Sequence, residues 1–304
     1  MMRFLLLLAA LCLVMHQAEA ANRSNATQVV VLGTGTPVPD PLRAGAGVAV
    51  IHKGEAYLFD AGDGVVSRAI RAHLELGMKE LDPPNIRYVF FTHLHSDHIH
   101  DYSVLASKVW WRRKGRLHAW GPVGLKALTD PMNEMMKVEA DLRSRGTPDD
   151  VIGDPEGYRV EVTEISEGVV YTREDLTIEA FTVPHGGIKP AFGYKVTTDD
   201  KTIVISGDTS YSEVLIEKAR NADILIHEVI SKKGVGSLPG SWQGYHRDSH
   251  TLTDQLARVA TKARPRLLVL YHILFFGATA EEVLAEVKAG YDGEVVLAND
   301  LQVF

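Results

Sequence analysis

The chain has 304 residues, a formal net charge of −7, 45% hydrophobic residues and a single cysteine, Cys12. This balance suits one large globular domain with a well-buried core and argues against a second domain, a long disordered linker or a low-complexity segment. With Cys12 inside an apolar leader, the processed chain has neither disulfides nor thiolate metal ligands.

The N-terminus is the first element in chain order. Arg3 precedes an apolar stretch from Phe4 to Met15, and Ala18-Glu19-Ala20 follows as a small-x-small cleavage signal. Residues 1–20 therefore read as a secretory signal peptide whose apolar core is too short for a stable membrane span. The expected protein is periplasmic or secreted, has no membrane attachment after cleavage, and consists of a single domain over 21–304. The sequons at Asn22 and Asn25 matter only on a eukaryotic secretory route.

Strand-like runs follow near 28–33, 47–60, 87–92, 176–183, 191–198, 202–206, 223–227, 266–271 and 294–304. Helix-like stretches lie near 63–77, 100–112, 122–145, 211–221, 252–263 and 279–289. Ser210 or Ser212, Thr251 and Thr279 are candidate helix caps, and Gly77 and Gly290 are candidate stops. Gly33-Thr34-Gly35 follows a strand but runs into Pro37 and Pro39, so it reads as a turn rather than a dinucleotide loop. A strand-rich half with helices, followed by a comparable half, predicts an α/β protein. The expected architecture is a four-layer αββα sandwich with its site at one edge between the sheets.

The chemistry concentrates in His93-Leu94-His95-Ser96-Asp97-His98, directly after the apolar run Tyr88 to Phe91. His93 and His95 point the same way if the backbone is extended, and Asp97 and His98 follow as the chain turns. Imidazole with carboxylate suits zinc and its first-row neighbours better than calcium or magnesium. Three later strands also end on ligand-type residues: His185 after the run from Leu176, Asp208 after Ile203–Gly207, and His272 after Leu267–Tyr271. Functional side chains commonly sit at such strand ends on a rigid scaffold.

With these residues the chain resembles the metallo-β-lactamase superfamily of binuclear metal hydrolases, from Val29 to Phe304. The resemblance implies that His93, His95 and His185 hold one metal, that Asp97, His98 and His272 hold the second, and that Asp208 bridges them. Leu32-Gly33-Thr34-Gly35-Thr36-Pro37, Tyr57-Leu58-Phe59-Asp60-Ala61-Gly62 and Ser206-Gly207-Asp208-Thr209 are similar to the ribonuclease Z and arylsulfatase-like branch. So are Ile226-His227-Glu228-Val229 and Ser249-His250-Thr251. In that branch the Glu and the later His form a proton-handling pair, which implies catalytic roles for Glu228 and His250 beside Asp97.

Two divalent metals are the implied cofactor, zinc first, with manganese or iron fitting the same ligands. The expected reaction is hydrolysis of a phosphodiester or aryl sulfate ester. A lactonase or other ester hydrolase, or a tRNA 3′-processing endonuclease, is the alternative. His100 reads as a rim or capping residue. Trp110-Trp111-Arg112-Arg113-Lys114 reads as a helix end with a solvated charge run rather than a nucleic-acid patch. Residues 130–158 carry eight acidic and three basic residues, which suits a helical insertion or lid better than a polyanion clamp. The expected partner is therefore a small-molecule ester and not a nucleic acid; a homodimer is compatible. The segment 231–249, with Trp242 and Tyr245, reads as a mobile loop in contact with substrate.

Overall fold

A computed structural model describes residues 26–148 and 151–304. The expected signal peptide, Cys12 and the asparagines of both sequons lie outside the described residues.

Two seven-stranded sheets form the centre. The first contains β1 (Gln28–Gly33), β2 (Gly47–His52), β3 (Glu55–Phe59), β4 (Tyr88–Phe90), β5 (His118–Gly121) and β6 (Glu161–Glu164), with β14 (Gln302–Val303) on the outer edge of β1. The second runs from β7 (Gly168–Arg173) through β8 (Leu176–Thr182), β9 (Phe192–Thr197), β10 (Thr202–Ile205), β11 (Ile224–Ile230) and β12 (Leu267–Leu274) to β13 (Val295–Leu297). The two sheets share a pattern. Three antiparallel pairings are followed by three parallel ones, with the change at β3 in the first sheet and at β10 in the second.

Side-chain alternation explains the layering. On β1, Val29 and Val31 enter the core between the sheets, while Val30 and Leu32 face the outer helices. On β11, Ile224 and Ile226 point inward and Leu225 outward, and on β12 Val269 and Tyr271 point inward and Leu268 and Leu270 outward. A strand buried on both faces is nearly continuous in apolar residues, as β1, β2 and β12 are apart from Gln28, His52 and His272. Against the first sheet packs α1 (Val65–Leu76), which ends at left-handed Gly77. Against the second pack α5 (Glu213–Lys218) and α8 (Thr253–Ala263), together with α9 (Ala280–Lys288). The αββα sandwich is present.

Local differences from the expectation have physical causes. Residues 47–60 and 294–304 are each two strands, the first pair joined by a turn at Lys53-Gly54, both at positive φ. The 100–112 helix breaks into α3 (Tyr102–Ser107) and a short 3₁₀ turn, with Val109 at φ 44° between them. There Arg113 is buried and donates to the carbonyls of Leu105 and Ala106, closing the end of α3. Trp110 is buried and the Arg143 guanidinium covers Trp111, so the aromatic part of the run is packed away while Arg112 and Lys114 stay exposed. The acidic insertion is the helix α4 (Leu125–Gly146), whose Met136 and Ala140 pack on Trp110 and Tyr158. Ser212, not Ser210, caps α5, and Thr279 caps α9 with Glu282 in a reciprocal box. Thr251 caps no helix; its hydroxyl donates to the Thr209 carbonyl.

The expected loop at 231–249 is largely two helices, α6 (Lys232–Gly236) and α7 (Gly240–Ser249). Glu286 of α9 accepts from the backbone N–H groups of Lys232 and Lys233, satisfying the α6 N-terminus. Tertiary partners thus overrule the glycine punctuation.

Candidate metal centre

Strand ends and tight turns deliver every candidate ligand to one edge of the sandwich. After β4 the chain passes Thr92 and His93 and enters the single turn α2 (Ser96–Ile99), which carries Asp97 and His98. That turn is pinned from below: Ala46 N–H donates to the Asp97 carbonyl at 3.1 Å and Ala61 N–H to the His98 carbonyl at 2.7 Å. A β-carbon on Gly62 would lie 2.1 Å from the Asp97 carbonyl oxygen, so only glycine allows this approach. Past β10, Gly207 turns at φ 59° and presents Asp208.

His272 arrives by a different device. Strand alternation would send it outward with Leu268 and Leu270. The register between β11 and β12 slips after Glu228, leaving His272 as the extra residue at φ 44°. A bulge of this kind re-aims a side chain, and His272 is fully buried among the other ligands.

The seven residues form two groups joined by one carboxylate. His93 Nε2 lies 3.0 Å from His95 Nδ1, and His185 Nε2 lies 3.3 Å from the same nitrogen. Both His93 Nε2 and His185 Nε2 are 3.9 Å from Asp208 Oδ2. On the other side, His98 Nε2 is 3.5 Å from Asp97 Oδ2 and 3.3 Å from Asp208 Oδ1. His272 Nε2 is 3.0 Å from Asp97 Oδ2, and its Nδ1 is 3.5 Å from Asp208 Oδ1. Asp208 thus turns one oxygen to each group.

These separations fit metal ions. Bonds of ~2.0–2.1 Å in a tetrahedron give ligand-to-ligand edges of ~3.3 Å. His98 Nε2, Asp208 Oδ1 and His272 Nδ1 are buried without a hydrogen-bond partner in the protein, a costly condition that metal coordination relieves. The donor set is imidazole and carboxylate, as a binuclear divalent centre requires.

The electrostatics of the first group point the same way, whereas His98, despite burial, is raised well above its ordinary range by Asp208, Asp60 and Asp97. Burial pushes the His93 and His95 imidazoles below the ordinary histidine range, and neighbouring histidines add to this. Neutral imidazoles keep a lone pair for a metal. Burial opposes a negative charge on Asp208, but His272 and His98 outweigh it and hold the carboxyl well below its usual range. Asp97 follows the same balance, with His98 and His272 lowering it.

Other residues orient the ligands. Asp60, itself at φ 61°, accepts from the N–H and hydroxyl of Thr92 and sits 2.8 Å from His98 Nδ1. His185 Nδ1 is 2.8 Å from the Ser249 carbonyl at the end of α7. Such partners fix tautomer and ring angle. Asp60 lies in a motif that carried the resemblance, yet no role for it was legible there. Its sequence neighbours say nothing of His98, 38 positions away.

Glu228 and His250 complete the site. Glu228 is fully buried on the inward face of β11, where its Oε1 accepts from Thr251 N–H at 2.8 Å and Thr209 N–H at 3.3 Å. Its Oε2 faces His250 Nδ1 at 3.4 Å, an ion-pair contact longer than a regular hydrogen bond. Asp208 Oδ2 is 3.9 Å from the same nitrogen. Burial works against a charged His250, but Glu228 outweighs it and raises the imidazole above its ordinary value. His100 stays outside the cluster, exposed on the rim of a neighbouring cavity.

The comparisons with known proteins agree with this geometry. Residues 55–273 match the family model described as "Beta-lactamase superfamily domain". The chain is 30% identical over 288 residues to a ribonuclease Z of Mycobacterium bovis (strain BCG / Pasteur 1173P2), covering 90% of this chain and 96% of that protein. Among solved structures, the metallo-beta-lactamase fold protein YhfI from Bacillus subtilis superposes with TM-score 0.67 at 21% identity, covering 92% of this chain and all of that one. Human tRNase Z, short form, gives TM-score 0.63 at 23% identity over 91% of this chain and 98% of that one. Relatives named for cleaving RNA run against the expectation that nucleic acid is excluded as a partner, an expectation that rested on the expected export and on the charge pattern of 110–114 and 130–158.

Proposed function

We propose that this chain, which belongs to the metallo-β-lactamase superfamily in its ribonuclease Z branch, hydrolyses a phosphodiester at a binuclear centre with Glu228 and His250 handling the leaving-group proton. The observation that carries the reading is Asp208 turning one oxygen to each ligand group, with His250 lining the same cavity.

His93, His95, His185 and Asp208 would hold one ion, and Asp97, His98, His272 and Asp208 the other, zinc being the first choice. When bound, two such ions lower the pKa of water towards ~7 and offset charge on the phosphoryl oxygens. Asp97 orients the attacking water and accepts its proton. As the bond from phosphorus to the leaving oxygen breaks, His250 donates its proton to that oxygen, and buried Glu228 stabilises the imidazolium beforehand. An aryl sulfate ester presents the same tetrahedral centre and stays within the reading; a lactone does not need this proton donor.

A second reading, ribonuclease Z-type cleavage of RNA, is favoured by the 30% identity across nearly the whole chain. Turnover of bis(p-nitrophenyl) phosphate, p-nitrophenyl sulfate, a lactone and a precursor tRNA by zinc- and manganese-loaded protein separates these readings. The expected result is diester hydrolysis; hydrolysis of the lactone alone would overturn it. We also propose export, with the mature chain starting at Ala21. N-terminal sequencing of the protein from its native host tests this, and a retained Met1 would refute it.

A further inference from the structure

We propose that the cavity beside the ligands is a leaving-group compartment built for a flat aromatic ring, so that this protein prefers phosphodiesters carrying such a ring on the side of the bond that breaks. The inference rests on the phosphodiesterase reading and adds a substrate class to it.

The cavity holds about 580 Å³ and is lined by His95, Asp97, Asp208 and His250, so it opens directly onto the reacting centre. Its remaining wall is apolar and aromatic, including Val38, Leu238, Leu274, Trp242, Tyr245 and Phe276. No lysine or arginine is among the described residues that line it. Lys232 pairs with Asp254 and Lys233 with Glu282, and Arg247 and Lys189 line a separate cavity on the other side of His185. A polyanionic leaving group would meet no counter-charge here.

The aromatic groups are arranged as a continuous series. Trp242, Tyr245 and His246 occupy positions i, i+3 and i+4 of α7, hence one face, and His250 follows four residues on. The His246 ring lies 5.7 Å from that of His250, 4.8 Å from Phe276, and 5.8 Å from Trp242 at an interplanar angle of 26°. Trp242 and Tyr245 meet edge to face at 5.7 Å and are still 55% and 48% exposed. Solvent-facing rings beside a reacting centre offer stacking surface that gains more from a flat ring than area burial alone provides. His246 Nδ1 is buried in this wall without a protein partner, so a ring with a polar atom or substituent suits the wall better than an alkyl chain.

The ring can be bonded directly to the leaving oxygen, as in an aryl ester, or stand one sugar away, as in a nucleoside. Metal-loaded protein should be assayed with three diesters: one with a phenyl leaving group, one with a fluoroalkyl leaving group of matched acidity, and a dinucleoside monophosphate. Phenylphosphonate and methylphosphonate binding should be followed by calorimetry. We expect an aromatic preference of about tenfold, carried by KM and by phosphonate affinity. Trp242→Ala should collapse it and Trp242→Phe should retain most of it. A phenyl preference identifies the aryl source, and a dinucleoside preference with the same Trp242 dependence identifies the nucleobase source. Equal affinity for the two phosphonates, or an aromatic preference indifferent to Trp242, overturns the inference. Tight phenylphosphonate binding through Trp242 without turnover of any diester would instead sink the phosphodiesterase reading and leave the compartment standing.

Discussion

Among the described residues, two regions gather histidine and aspartate, and they differ in fitness for metal. Where β2 ends and β9 turns into β10, His52, Asp199 and Asp200 bring three ligand-type atoms within 4.8 Å of one another, as the residues of the metal centre do. There, however, both nitrogens of His52 are partnered, Nδ1 with Thr27 Oγ1 at 2.8 Å and Nε2 with Asp175 Oδ1 at 3.0 Å. Asp200 accepts from Thr27 and Thr198, and Lys53 neutralises Asp175 with Asp199 nearby. In the other region His98 Nε2, His272 Nδ1 and Asp208 Oδ1 are buried and unpartnered. Residue type and proximity are shared. What differs is whether the protein itself satisfies each atom, and that difference separates a structural knot from a binding site.

The largest test of the contrast is Asp208→Ala. Losing the carboxylate shared by both groups should release metal and lower turnover by more than ~100-fold, the scale that even outer partners of a metal site reach. Elemental analysis and diester assays would check this, and full metal content with full turnover would remove Asp208 from the centre. His250→Ala should keep its metal and lose roughly 10²–10⁴-fold in kcat. In Glu228→Gln the carboxylate that raises His250 is gone, so its pKa falls and the alkaline limb of kcat moves to lower pH. An unmoved pH profile would break the proposed pair.

Asp60→Asn addresses the support beneath His98. Metal affinity measured by chelator competition should fall ~10–100-fold. The smallest effect should come from the knot. His52→Leu leaves Thr27 and Asp175 each short of a partner, so urea denaturation should show a loss of about 1–3 kcal/mol, with metal content and turnover unchanged. A drop in bound metal on His52→Leu would erase the distinction between the two regions.

Much of the site was legible because its ligands sit where apolar runs stop. Phe91, Val183, Gly207 and Tyr271 each precede a ligand or its neighbour by one or two residues, and periodicity locates such ends well. The layering was legible too, from strands apolar on both faces. Less legible was whatever depends on distant partners. β6, Glu161–Glu164, is mostly exposed and polar, and it forms a strand because β5 offers a free edge. Residues 232–249 carry Gly234, Gly236, Gly240 and Gly244, loop signals that local reading cannot set against the Glu286 carboxylate waiting at the α6 N-terminus. The bulge at His272 leaves no mark in the alternation of Leu267–Leu274; only the pairing with β11 reveals it.

Metal stoichiometry tests the central claim most directly. Purified protein, stripped by chelator and reloaded with zinc or manganese, should retain two divalent ions per chain after dialysis, with diester hydrolysis appearing as the ions bind. A chain that retains none, or that hydrolyses diesters at an undiminished rate after both ions are removed, would contradict a binuclear hydrolase built on Asp208.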